Sequence, residues 1–296
     1  MYFPVAGIEV SPWLPPAVAF GISLFTSMGG VSGAFLLLPF QVSVLGFDSP
    51  AVSATNQVFN ILATPGGIYR YLREGRMLWP LAWVLLVGTL PGVALGALMR
   101  IAWLPDPRDF KLLVASVLLY IALRLGRDLI APARGPVRAA PAPVGSVEIL
   151  EGERSRFRFR YGGELYSASR HGLFVLALAV GVVGGAYGIG GGAIIAPFLV
   201  SVFALPVHAV AGAALLATLV TSVAGVAFYH LIAPFYPEMS IAPDWGLGLL
   251  FGLGGVAGMY CGARLQRHIP ARLLKLLLVL CLLVPALRYL QEFLAG

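Results

Sequence analysis

Eight stretches of the chain are apolar over most of their length, at about residues 13–46, 50–70, 77–99, 109–127, 172–205, 207–233, 243–263 and 270–291. Each approaches or exceeds the ~20 residues with which an α-helix crosses a hydrocarbon core. Polar positions fall between these stretches, so the pattern predicts helical segments, four on either side of a polar stretch at 128–170. Segments 13–46 and 172–205 are long for a single crossing and are interrupted by glycines. That predicts two half-helices meeting at a break, as a hairpin or a re-entrant pair.

The two halves echo each other. In MGGVSGAFLLLPFQVSVL (28–45) and VGGAYGIGGGAIIAPFLVSVF (183–203), Gly29, Gly30 and Gly33 align with Gly184, Gly185 and Gly188. Pro39-Phe40 and Ser43-Val44 align with Pro197-Phe198 and Ser201-Val202 after a three-residue insertion. Further on, Ala51-Val52, Thr64, Gly67 and Tyr71 meet Ala209-Val210, Ser222, Gly225 and Tyr229, and Gly88, Gly92 and Gly96 meet Gly254, Gly258 and Gly262. Ordered glycine and proline matches over such a length mark an internal repeat. The domains expected are a membrane repeat at 1–127, a linker at 128–170 and a second membrane repeat at 171–296.

Composition and charge set the class and the orientation. Hydrophobic residues make up 59% of the chain, charged residues 11%, and mean hydropathy is +0.88, against roughly 25% charged residues in soluble domains. The first apolar run lacks the basic flank and small-residue cleavage site of a secretory signal, so it is expected to stay as structure. Arginines cluster in 69–76, in 128–170 and, with Lys275, in 264–275, which places those loops in the cytoplasm by the positive-inside rule. Residues 1–12, the tip near Asp48 and 230–244 carry no Lys or Arg and are expected outside. Loop 100–111 fits least well, because parity puts it outside while it holds Arg100, Arg108 and Lys111. With these assignments the second half enters the membrane in the opposite sense to the first. The fold class expected is therefore an all-α polytopic membrane protein of two inverted-topology repeats, about four segments each, multi-pass in the cell (inner) membrane with both termini external. Basic cytoplasmic loops account for the net charge of +7 without nucleic acid. Within the linker, APARGPVRAAPAPVG reads as a tether, and RSRFRFRY, Gly162-Gly163 and ELYS as a small β-hairpin.

GIGGGA (188–193) has the glycine spacing of a dinucleotide fingerprint, but no Asp or Glu occurs between Glu164 and Glu238 to hold a ribose. No Walker loop and no metal-ligand cluster occur either, so neither cofactor nor metal is expected. The stripes Gly88, Gly92, Gly96 and Gly254, Gly258, Gly262, each at i, i+4 and i+8, line single helix faces, as close helix packing requires. The denser glycines of 184–192 suit an unwound backbone better, and a helix restarting near Ala193 would present free N–H groups and a partial positive charge. An anion suits such a place. No Asp or Glu lies mid-membrane, so a carboxylate ladder for Na⁺ or a buried acid relay has no support. Neutral donors remain. The substrate is expected at Gly29, Gly30, Ser32, Gly33, Asn56, Gln57 and Asn60 of the first half, and at Gly185, Tyr187, Gly188, Gly190, Gly191, Gly192, Thr218, Thr221 and Ser222 of the second. For Asn56 and Asn60, one turn apart, pore lining and interhelical glue stand as equal alternatives.

GGAYGIGGG followed by Pro197, its repeat, and the run ATLVTS (217–222) resemble the TauE/SafE family of membrane permeases, the sulfite exporters, over nearly the whole chain outside the linker. The first half departs from that pattern: MGGVSGAFLLLPF lacks the second glycine cluster, and Ala54-Thr55-Asn56-Gln57 stands where the second half has Gly212-Ala213-Ala214-Leu215. The resemblance implies secondary transport, without ATP, of a small sulfur-containing anion such as sulfite or a sulfoacetate-like sulfonate. The expected partners are that anion and the lipid bilayer. Proton coupling rests on the resemblance alone, and a homodimer is compatible with it. An anion channel, a carboxylate permease and a non-transporting membrane scaffold are the alternatives.

Overall fold

A computed structural model describes residues 1–28, 32–75, 77–130, 148–150, 156–161, 163–203, 205–265 and 271–295. The first half forms a two-stranded hairpin, β1 (Tyr2–Phe3) and β2 (Ile8–Glu9), then α1 (Leu14–Met28), α2 (Ala34–Ser43), α3 (Ala51–Ala63), α4 (Pro65–Arg73), α5 (Trp79–Ala102) and α6 (Pro107–Ile130). Strands β3 (Glu148–Leu150), β4 (Arg156–Tyr161) and β5 (Glu164–Ser169) precede the second half, which comprises α7 (Arg170–Tyr187), α8 (Ile195–Val202), α9 (Val207–Ile232), α10 (Trp245–Leu265) and α11 (Ala271–Leu294). Among the described residues four helices are long and apolar enough by themselves to cross a bilayer: Trp79–Ala102, Arg170–Tyr187, Ala209–Phe235 and Trp245–Gly262. The chain is an α-helical, multi-pass membrane protein carrying two small sheets.

Two expectations change in detail. Segment 50–70 is two helices, because Pro65 has no N–H to continue the ladder from α3 and starts α4 instead. The linker hairpin gains a third strand, giving the antiparallel order β3-β4-β5. Alternation along β4 buries Phe157, Phe159 and Tyr161 and exposes the arginines between them. The Phe159 ring stacks on both Phe157 and Tyr166, with centroids 5.3 Å apart in each pair. The tether at 131–147 lies outside the described residues.

The glycine stripes do what their spacing implies. A Cβ at Gly88 would lie 2.6 Å from Ala177 Cβ, and one at Gly92 or Gly96 would overlap backbone carbonyls of α7, at Leu178 and Val182. Gly254, Gly258 and Gly262 meet Pro16, Phe20 and Leu24 of α1 in the same way. Helices α5 and α7 therefore pack backbone to backbone, as do α10 and α1, and α6 lies along α11. Helix α3 is held between α10 and α9, and α9 also packs on α5.

Contacts sort the loops into two faces. On one, Ala6 N–H donates to Asp244 Oδ2 at 3.4 Å, Ala51 N–H to Ser240 O at 3.0 Å, and Arg100 Nη2 to Asp48 O at 3.0 Å. Loop 100–111 belongs to this face. Arg108 donates to Phe293 O at 2.9 Å, Lys111 pairs with Glu292 at 2.8 Å, and Arg100 is buried over the Phe110 ring at 3.8 Å. Its positive charges are thus held by the end of α11 and by carbonyls. On the other face, Gly172 at the start of α7 lies against Phe203, just past α8. The α7–α8 pair therefore turns back towards the side from which α7 came.

Candidate functional site

The second glycine block divides in two. Gly184 and Gly185 belong to α7, where Gly185 packs on the backbone of Val93 and its carbonyl accepts from Tyr229 O–H at 3.2 Å. The helix stops at Gly188, which has φ +81°, and Gly190 has φ +74°, two left-handed positions that glycine adopts without steric cost. Non-helical backbone continues to Ile194, the N-cap of α8, which supplies no side-chain cap.

This break is enclosed by backbone and small side chains. A Cβ at Gly188 would run into Ser53, and one at Gly190 would lie 2.7 Å from Ser222 Oγ. At Gly191 it would lie 2.6 Å from Thr89 Cβ, and at Gly192 it would overlap Ala214 O. Packing and unwinding are therefore one feature here: glycine permits the turn, and glycine lets α3, α5 and α9 close on it.

Helix α3 ties the two breaks together. Asn56 Nδ2 donates to Ala34 O at 3.0 Å and to Gly188 O at 3.1 Å, and Asn56 Oδ1 accepts from Gln41 Nε2 at 3.3 Å. Asn60 Nδ2 donates to Ile189 O at 2.9 Å while its Oδ1 accepts from Ser32 Oγ at 2.9 Å. Ser32 Oγ also accepts from Ala34 N–H at 3.3 Å, at the start of α2. Tyr187 O–H reaches Phe35 O at 2.8 Å, and Ser53 O–H reaches Ala186 O at 2.9 Å. Of the two alternatives for the asparagines, the hydrogen bonds favour glue. Both amides serve the carbonyls that unwinding would otherwise leave bare in a dry interior.

On the α9 side, Thr221 Oγ1 accepts from Gly191 N–H at 2.9 Å and donates to Ala217 O at 2.5 Å, and Thr218 O–H donates to Ala214 O at 2.9 Å. Gln57 and Ser222 differ from all of these. Both are fully buried, and the Gln57 amide and the Ser222 hydroxyl have no hydrogen-bond partner. Both meet at one stretch of α9: Gln57 lies against its Gly225, one turn after Ser222, and Ser222 reaches from α9 to Gly190. Gly33 packs close to Ser23, whose hydroxyl is also unpaired. Gly29 and Gly30 lie outside the described residues.

Three side chains at this junction escaped the sequence reading: Ser53, Gln41 and Thr89. Gln41 did carry a signal, as the one amide in the apolar run AFLLLPFQVS. Charged groups are scarce. Among the described residues only Arg100 and Asp244 are buried charges; Arg100 is held by carbonyls, and Asp244 accepts from Leu247 N–H at 3.0 Å as the cap of α10. No group of described residues could hold a metal ion.

The junction thus joins α2 and the 188–194 break through neutral amides and hydroxyls, with no carboxylate at its centre among the described residues. The family model described as "Sulfite exporter TauE/SafE" matches residues 16–289, nearly the whole chain. No curated protein and no solved structure matches. A match of that extent, on a multi-pass helical chain, places the protein in the sulfite exporter TauE/SafE family of membrane transporters.

Proposed function

We propose that the protein is a secondary carrier that exports a small sulfur-containing oxyanion, sulfite or a sulfoacetate-like sulfonate, across the cell membrane, binding it at the ends of the broken helices. The observation that carries this reading is the break at 188–194, which leads into a helix without a side-chain cap. Helix α2 begins differently, since Ser32 Oγ accepts from Ala34 N–H at its start. Uncapped N-termini supply N–H donors and a partial positive charge, and a site without fixed carboxylates does not compete for them.

The proposal includes two inverted-topology repeats. Exchanging the halves maps the α1–α10 pair onto α7–α5, the α3–α10 pair onto α9–α5, and α6–α11 onto itself. It also maps the Gly67–Leu215 contact onto Gly225–Gln57. Repeats related in this way can rock against each other around a fixed site, as alternating access requires. The arginine-rich linker 128–170 would face the cytoplasm and both termini the outside. Proton coupling and a homodimer are compatible with this scheme but not required by it.

A thermal-shift panel on the detergent-purified protein tests the reading with sulfite, sulfoacetate, thiosulfate, taurine and short carboxylates. Sulfite or a sulfonate should stabilise the protein, by ~2.7 kcal/mol at about one hundred times Kd. Taurine should not, because its ammonium offsets the charge on which the site acts. Stabilisation by carboxylates alone would instead mark a carboxylate permease, and stabilisation by none of these would leave a scaffold.

A further inference from the structure

The Gln57 amide is a buried hydrogen-bonding group with nothing to bond. Such a group is costly to keep, and native proteins rarely keep one without a use. Its neighbours on α3 show that partners are within reach of this helix, since Asn56 and Asn60 both donate to the break. Packing does not call for glutamine either. Gln57 aligns with Leu215, and each lies against a glycine of the opposite half: a Cβ at Gly67 would lie 2.9 Å from Leu215 Cδ1, and one at Gly225 would overlap Gln57 Oε1. Leucine fills the matching notch with no polar atom. Ser222, equally buried and unpaired, stands on α9 one turn before the Gly225 that Gln57 lies against, with its hydroxyl towards Gly190.

A primary amide presents one donor end and one acceptor end, whichever way round it is turned. Oxygens of an anion satisfy the donor end. The acceptor end is repelled by those same oxygens and is satisfied only by a hydrogen on the ligand. Ser222 can supply one more donor or acceptor. With neutral groups alone at the junction, a doubly charged ligand would lose more solvation than the site returns.

We infer that Gln57, together with Ser222, selects a singly charged oxyanion that carries its own hydrogen-bond donor, namely hydrogen sulfite or a small hydroxyalkanesulfonate, over an equally charged oxyanion that carries none. This rests on the anion-carrier reading above and narrows its anions to hydrogen sulfite and singly charged hydroxysulfonates, which leaves out sulfoacetate, a dianion at neutral pH.

Methanesulfonate and hydroxymethanesulfonate have the same charge, nearly the same size, and differ by the one hydroxyl. Calorimetric titration of the purified full-length protein should give at least about tenfold tighter binding of the hydroxylated ligand, because a site built to pair a hydroxyl rejects the analogue without it. In Gln57→Leu that preference should vanish and hydrogen sulfite should bind more weakly, while the unfolding temperature without ligand should not fall, since the change removes an unpaired buried amide. Gln57→Met, which keeps the side-chain length, should behave in the same way and gives the readout where leucine prevents folding. Ser222→Ala should weaken binding of both ligands. Equal binding of the two ligands by the wild type, an unchanged preference in the Gln57 variants, or a lowered unfolding temperature in both would overturn the inference and leave the carrier reading intact. Failure of the wild type to bind sulfite or any sulfonate would instead remove the carrier reading.

Discussion

Leucine at Gly192 should leave almost no folded protein. A Cβ there would overlap the Ala214 carbonyl and lie 2.5 Å from both the amide nitrogen and the hydroxyl of Thr218, and the remaining three carbons of leucine would have to enter α9 itself. Overpacking costs ~1–3 kcal/mol when side chains can yield, and sometimes more. Here the obstacle is helix backbone, which cannot change rotamer. The result expected is loss of the monodisperse peak in detergent, read by fluorescence-detected size exclusion. Gly126→Leu is the matched comparison: it lies within α6, a Cβ there meets nothing within 4 Å, and the variant should elute like the wild type. Normal folding of the Gly192 variant would mean that the 188–194 break and α9 do not pack this closely. The same crowding makes leucine at Gly190 or Gly191 a poor probe of transport, because fold and function would be lost together.

The second large effect separates two neighbouring amides. Asn56→Leu should lower stability by roughly 2–6 kcal/mol, because Gly188 O and Gln41 Nε2 each lose a buried partner, at ~1–3 kcal/mol per group. Gln57→Leu, one residue further on, should not lower it at all, because that amide has no partner to lose. Scanning fluorimetry of the two variants beside the wild type reads the contrast directly. Similar losses in both would show that hydrogen bonding at α3 is not divided in this way. A sequence-level rule about polar residues in membrane helices would treat the two substitutions alike.

The sequence carried most of the architecture. Charge-free runs and their lengths marked the helices, and glycine density placed the break at 188–194, since few other residues tolerate unwound backbone at that depth. The expectation of a repeat arose in the same way: glycines and prolines bound by close approach keep their order where ordinary apolar positions do not. The division at Thr64 was lost inside a run that stays apolar on both sides, although Pro65 marked it. The roles of the amides could not be read, because Asn56 and Gln57 are adjacent and chemically alike, and only their partners on α2 and the 188–194 break distinguish them. Gln57 was nevertheless visible in one respect, as the amide standing where the other half has Leu215. Its meaning required the contact with Gly225, which is a matter of tertiary packing.

Counterflow of radiolabelled sulfite in proteoliposomes tests most directly whether the junction is a carrier site for sulfur oxyanions. Vesicles loaded with unlabelled sulfite should accumulate label faster than empty ones, the rate should saturate with external sulfite, and Ser222→Ala and Gln57→Leu should each reduce it. Flux that rises without saturation and ignores the internal sulfite, or counterflow that both variants leave unchanged, would contradict a carrier site at the helix breaks.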